Sequence, residues 1–139
     1  MVAIYFTLGK GSHVVKTLLV VDDYEDLRKL VVFFLSARGY AVLEAPTGRM
    51  VIHAAIEGNP NLILLELRLP DMNGIEVARE LQKIPETTHI PVTAWTADYR
   101  APAESRYLAP IRLIRLYFKN RFRCENSRLR LHAAYILTG

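Results

Sequence analysis

A chain of 139 residues that is 51% apolar and 23% charged carries enough apolar material for one domain core, and this balance excludes an intrinsically disordered chain. The single cysteine, Cys124, excludes an intrachain disulfide and fits a reducing compartment, and no run of about 18 uncharged apolar residues offers a membrane span. Net charge is +4 but unevenly spread: residues 1–104 hold 10 Lys/Arg against 13 Asp/Glu, and residues 105–139 hold 8 against 1.

Residues 1–13 read as an N-terminal extension. They are apolar from Met1 to Leu8 but lack the basic leader of a signal peptide, and residues 2–7 suit an extra strand or no fixed structure. Thr17-Leu18-Leu19-Val20-Val21 is apolar on both faces, the pattern of a central parallel strand. Leu27, Leu30, Val31, Phe34 and Leu35 then follow helical spacing. Asp23 stands where the cap of that helix belongs, and Gly39 supplies its stop. A second strand is predicted at 40–45 and a helix at 47–57, stopped by Gly58 and Pro60. The third strand, 61–67, is the most apolar. Ile75, Val77, Ala78 and Leu81 mark a helix that ends before Pro85. Residues 90–97 read as a fourth strand, with Pro91 near its start, where a missing N–H is tolerated. Alternating units of this length imply a parallel sheet with right-handed crossovers. Beyond Pro102 the pattern predicts a short helix at 103–109, a fifth strand at 111–118 and a helix from Asn120. Arg112, Arg115, Lys119 and Arg123 also recur at helical spacing, so a helix across that stretch stays open.

Three of these strands end in polar residues: Asp22-Asp23, Glu66 and Thr96. In an open parallel sheet, ligands bind in the crevice at the carboxyl ends of the strands. Clustered carboxylates repel one another and need a cation or a raised pKa. Mg²⁺ suits them, because it prefers hard oxygen ligands and keeps several waters. A hydroxyl such as Thr96 and a cation such as Lys119 would bind an incoming phosphoryl group. The implied chemistry is Mg²⁺-assisted phosphoryl transfer onto a carboxylate.

The chain resembles the receiver domains of two-component response regulators. The residues that carry the likeness are Leu18-Leu19-Val20-Val21-Asp22-Asp23, then Leu64-Leu65-Glu66-Leu67-Arg68-Leu69-Pro70-Asp71-Met72-Asn73-Gly74, then Ile90-Pro91-Val92 through Thr96-Ala97. The likeness covers about residues 16–100. It implies a flavodoxin-like, doubly wound α/β fold, with five parallel strands in the order 2-1-3-4-5 and an extra N-terminal segment. Residues 14–139 would form the receiver-like domain, with 105–139 atypical and basic. The resemblance also implies that Glu66 occupies the phosphoacceptor position. Asp22, Asp23, Glu66 and the Arg68 backbone carbonyl would hold Mg²⁺, and Thr96 and Lys119 would bind the phosphoryl group. The partners it implies are a histidine kinase or phosphotransfer protein and a downstream target. It further implies a cytoplasmic setting, a monomer or weak dimer, and no enzyme activity of the domain's own.

Two departures qualify this. The acceptor position holds Glu66 where the family has Asp. Glutamate is longer by one methylene, about 1.5 Å of reach, and in-line transfer is sensitive to an error of that size. Glu66 would therefore impair acceptance or mimic the phosphorylated state. The C-terminal third also lacks the family's Gly-Ala-Asp-like turn, and Lys119-Asn120-Arg121-Phe122 only echoes its Lys-Pro-Phe signature. A frameshift or a divergent terminus would explain both this and the charge jump. Length leaves no room for a DNA-binding output domain of about 60–100 residues after the receiver.

Other readings stay beside this one. The chain could act as a phosphorylation-independent pseudo-receiver, a protein-interaction module fixed in one state. The basic residues 106–130 could bind nucleic acid. Asp23 could serve only as a helix cap. Gly9-Lys10-Gly11-Ser12 lacks the leading glycine spacing of a phosphate loop. His13, His53, His89 and His132 show no metal-ligand pairing, and Cys124 has no nucleophile signature around it.

Overall fold

The structure, a computed structural model, describes residues 14–96 and 113–118, with Thr96 and the last strand described by backbone alone. The extension at 1–13, the helices at 103–109 and from Asn120, and Lys119 lie outside the described residues. So does most of the basic stretch 106–130.

Five parallel strands form one sheet in the order β2-β1-β3-β4-β5. They are β1 (Thr17–Val21), β2 (Ala41–Ala45), β3 (Leu62–Leu65), β4 (Val92–Thr96) and β5 (Leu113–Phe118). Three described helices connect them: α1 (Glu25–Ser36), α2 (Gly48–Gly58) and α3 (Gly74–Lys83). The fifth segment is thus a strand and not the helix that its arginine spacing left open. Its pairing with β4 shifts register between Val92 and Ala94.

Alternation along β1 assigns the two faces. Leu18 and Val20 turn to one side, where they pack with Val31 and Leu35 of α1. Leu19 and Val21 turn to the other, against Val51 and Ala55 of α2 and Val77, Ala78 and Leu81 of α3. A central strand covered on both faces must be apolar at every position, which is why β1 reads as an unbroken apolar run. Leu19, Ile63 and Leu65 are fully buried, and each such side chain contributes about 1.5–3 kcal/mol of burial free energy.

Helix ends correct the sequence reading in two places. Asp23 does not cap α1: the cap residue is Tyr24, with no side-chain cap bond, and Asp23 is exposed. The adjacent Asp22 turns inward and its carboxylate takes the Tyr24 N–H. Glu25 and Asp26 in the first turn still favour the positive end of the helix. Gly58 is the last residue of α2, not its stop. The chain leaves the helix at Asn59, in the left-handed region at φ 39°, which asparagine tolerates better than most residues. Gly39, at φ 86°, does end the α1 segment. Strand β3 is shorter than predicted, because the chain turns away after Leu65.

Candidate functional site

Strand pairing brings the acids together. Val21 is the ladder partner of Leu65, so Asp22 and Glu66 are the next residues on two neighbouring strands. The Glu66 N–H donates to the Val21 carbonyl at 3.0 Å, and the Asp22 N–H donates to the Ala45 carbonyl at 3.2 Å. Thr96 ends β4, two residues past Ala94, the ladder partner of Leu65. Backbone geometry alone therefore gathers Asp22, Glu66 and Thr96 at one end of the sheet. The strand order reverses there, where β1 leads to β2 on one side and β3 on the other.

Two of these residues are buried acids, Asp22 at 2% exposure and Glu66 at 6%. A carboxylate taken out of water needs donors or a cation around it. The Asp22 Oδ1 accepts the Tyr24 N–H at 3.0 Å. The Glu66 Oε1 accepts the Arg68 N–H at 3.1 Å. Arg28 on α1 braces the same corner: its Nη1 donates to the Asp22 carbonyl at 2.7 Å, and its Nε to the Glu44 carboxylate at 3.0 Å.

The loop after Glu66 is tightly closed. Arg68 and Asn73 form an isolated antiparallel bridge. The Gly74 N–H donates to the Leu67 carbonyl at 2.8 Å. A Cβ at Gly74 would stand 2.5 Å from the Glu66 carbonyl oxygen and 2.7 Å from the Leu67 Cα, so only glycine fits there. Asn73 then starts α3 with a capping box: its Oδ1 accepts the Ile75 N–H at 2.8 Å, and Glu76 returns a carboxylate to the Asn73 N–H at 3.3 Å. At the loop tip, Asp71 takes the Gly48 N–H at 2.7 Å and the Arg49 N–H at 3.0 Å. Those two bonds, the one from Arg49 first, hold the Asp71 carboxyl below its ordinary range.

Among the described residues, no three acidic, histidine or cysteine side chains stand close enough to hold a metal ion between them. The buried donors are carboxylate oxygens on two strand ends. That kind of donor set fits Mg²⁺, which is held by one or two carboxylates and completes its shell with water. Asp23 and the Arg68 side chain are exposed. Lys119 lies outside the described residues.

Sequence reasoning passed over two residues of this corner. Arg28 carries a local signal, a cation in the second turn of a helix that follows an acidic strand end. Asp71 sits inside a recognised motif, but its partners lie more than twenty residues upstream, and no local pattern points to them.

A doubly wound parallel sheet with buried acids at its switch point defines the class of α/β module in which ligands bind at the carboxyl ends of the strands. The chain matches the response regulator receiver domain over residues 18–109, more than half its length, and it belongs to that family. The phosphate regulon transcriptional regulatory protein PhoB of Pseudomonas aeruginosa is 38% identical over 82 residues, which span 59% of this chain and 36% of PhoB. The polar-differentiation response regulator DivK of Brucella ovis is 37% identical over 82 residues, spanning 59% of this chain and 67% of DivK. Among solved structures, the N-terminal domain of a response regulator receiver protein from Methanoculleus marisnigri JR1 superposes with a TM-score of 0.69 at 28% identity, covering 76% of this chain and 85% of that one. The response regulator TrrA of Thermotoga maritima, solved in complex with Mg²⁺-BeF, gives a TM-score of 0.67 at 26% identity, covering 77% and 89%. Receiver domains of this family interact with histidine kinases or phosphotransfer proteins.

Proposed function

We propose that this chain is a phosphorelay receiver whose acidic pocket binds Mg²⁺ and whose acceptance of a phosphoryl group is impaired by Glu66. The observation that carries this reading is the Glu66 carboxylate, buried at the end of β3 and hydrogen-bonded to the Arg68 N–H at 3.1 Å. The carboxylate is turned back over its own loop, and its extra methylene carries it about 1.5 Å farther than an aspartate would reach. One carboxylate oxygen is thus engaged by the loop, and the group is displaced from where an aspartate would attack phosphorus.

Asp22 and Glu66 would hold the cation, with the Arg68 carbonyl and water as the further oxygen donors, and the exposed Asp23 would reach it through water. Mg²⁺, when bound, would neutralise charge on a transferring phosphoryl group. The Mg²⁺-BeF complex of TrrA supports this for the family fold. Thr96, and Lys119 beyond the described residues, are the proposed phosphoryl contacts. Asp22 keeps its backbone fixed through Arg28, so the β1 side of the pocket is preorganised whatever occupies it.

In this proposal the domain receives its signal from a histidine kinase or phosphotransfer protein in the cytoplasm and passes it on by protein contact. Treating the purified protein with Mg²⁺ and a small phosphodonor, beside Glu66→Asp, tests the reading by intact mass. The proposal requires the aspartate variant to label far more than the native chain.

A further inference from the structure

The contact between Asp71 and the start of α2 has no counterpart in the expected site. Asp71 lies three residues past Arg68, at the tip of the loop closed by the Arg68–Asn73 bridge. Both of its carboxylate oxygens are engaged, one by the Gly48 N–H at 2.7 Å and the other by the Arg49 N–H at 3.0 Å. The same junction is sterically tight. A Cβ at Gly48 would stand 2.2 Å from the Met72 Cγ and 3.0 Å from the Val77 Cγ2. Loop tip and helix start are therefore joined by two charge-assisted hydrogen bonds and by close packing. At its base, the same loop supplies the Arg68 N–H that holds the Glu66 carboxylate.

We propose that Asp71 is a positioning residue: by clamping the loop tip to α2, it sets where the Arg68 backbone and the Glu66 carboxylate stand. Its role in cation binding rests on the Mg²⁺-binding reading above; its role in ordering the loop does not. Without the clamp, the loop keeps the Arg68–Asn73 bridge and the Met72 packing but loses its hydrogen-bonded anchor, and the Arg68 peptide is freed to tilt. Mutating residues that orient metal ligands at one remove typically weakens binding by about 10–100-fold.

Amide hydrogen exchange and Mg²⁺ titration of native protein, Asp71→Ala and Asp71→Asn test this. Loss of exchange protection at Arg68 and Gly74 in Asp71→Ala, with a smaller loss in Asp71→Asn and cooperative melting retained in both, is the expected result. Mg²⁺ affinity should fall about tenfold in Asp71→Ala. If only Gly48 and Arg49 lose protection while Arg68 and Gly74 keep theirs, Asp71 is merely a cap on α2 and the proposal falls. Unchanged Mg²⁺ affinity in a variant of a protein that does bind Mg²⁺ overturns it equally. A native protein that fails to bind Mg²⁺ removes the functional reading instead, and the exchange comparison still decides whether Asp71 positions the loop.

Discussion

The Glu66 carboxylate accepts a hydrogen bond from the Arg68 backbone N–H at 3.1 Å, two residues along the same chain. This makes the acid that follows β3 part of its own loop. With Asp22, it is one of two buried carboxylates there among the described residues. Asp22→Asn and Glu66→Gln, each removing one of those charges, should each lower Mg²⁺ affinity by at least about tenfold, the lower limit seen for residues that only orient ligands. Isothermal titration at low ionic strength reads this directly. Equal affinity in native protein and both variants would place the cation elsewhere.

Gly74 links packing to the site. A side chain there meets the Glu66 carbonyl oxygen at 2.5 Å, a backbone atom with nowhere to move. Gly74→Ala should destabilise the domain by about 1–3 kcal/mol, as overpacking does in a filled interior. Urea unfolding measures the loss. Native stability in this variant would mean that the β3–α3 loop yields easily.

Arg28 joins α1 to two strand ends through the Asp22 carbonyl and Glu44. Its side chain is only 11% exposed. Removing it leaves the Asp22 carbonyl without this donor, a change that costs about 1–3 kcal/mol at a buried group. Arg28→Ala should therefore lower stability by that order, and Arg28→Lys by nearly as much, because an ammonium lacks the planar fork that reaches both acceptors. Thermal melts of the two variants check the comparison.

The Asp71 carboxyl lies below its ordinary value of 3.8, chiefly because the Arg49 and Gly48 N–H groups donate to the charged form. A depressed acid contributes stability above its unfolded pKa and loses that contribution as pH falls through its folded pKa. The melting-temperature gap between native protein and Asp71→Asn should thus be widest near neutral pH and close as pH drops below the ordinary aspartate value. A gap independent of pH would contradict the clamp. The side chain is exposed, so salt should narrow the gap as well.

The central strands β1 and β3 were legible because burial on both faces leaves an unbroken apolar run. The spacing predicts β1 at 17–21, and the structure has Thr17–Val21. The strand order was legible only through resemblance, since periodicity says nothing of neighbours. What local pattern could not show were choices made by distant contacts. Asp22 rather than Asp23 turns inward because the Asp22 N–H is tied to Ala45 on β2. Strand β3 stops at Leu65 rather than Leu67 because the Arg68–Asn73 bridge and the close approach of Gly74 bend the chain there. Asp71 meets α2 across 22 and 23 residues of sequence. Asp22, Glu66 and the end of β4 were found from sequence because each simply follows an apolar run.

The most direct test of the account is intact mass spectrometry of native protein and Glu66→Asp after incubation with Mg²⁺ and a small phosphodonor. Glu66→Asp should gain one phosphoryl group while the native chain stays at its unmodified mass. Equal labelling of the native chain, located to Glu66 by fragmentation, would contradict it.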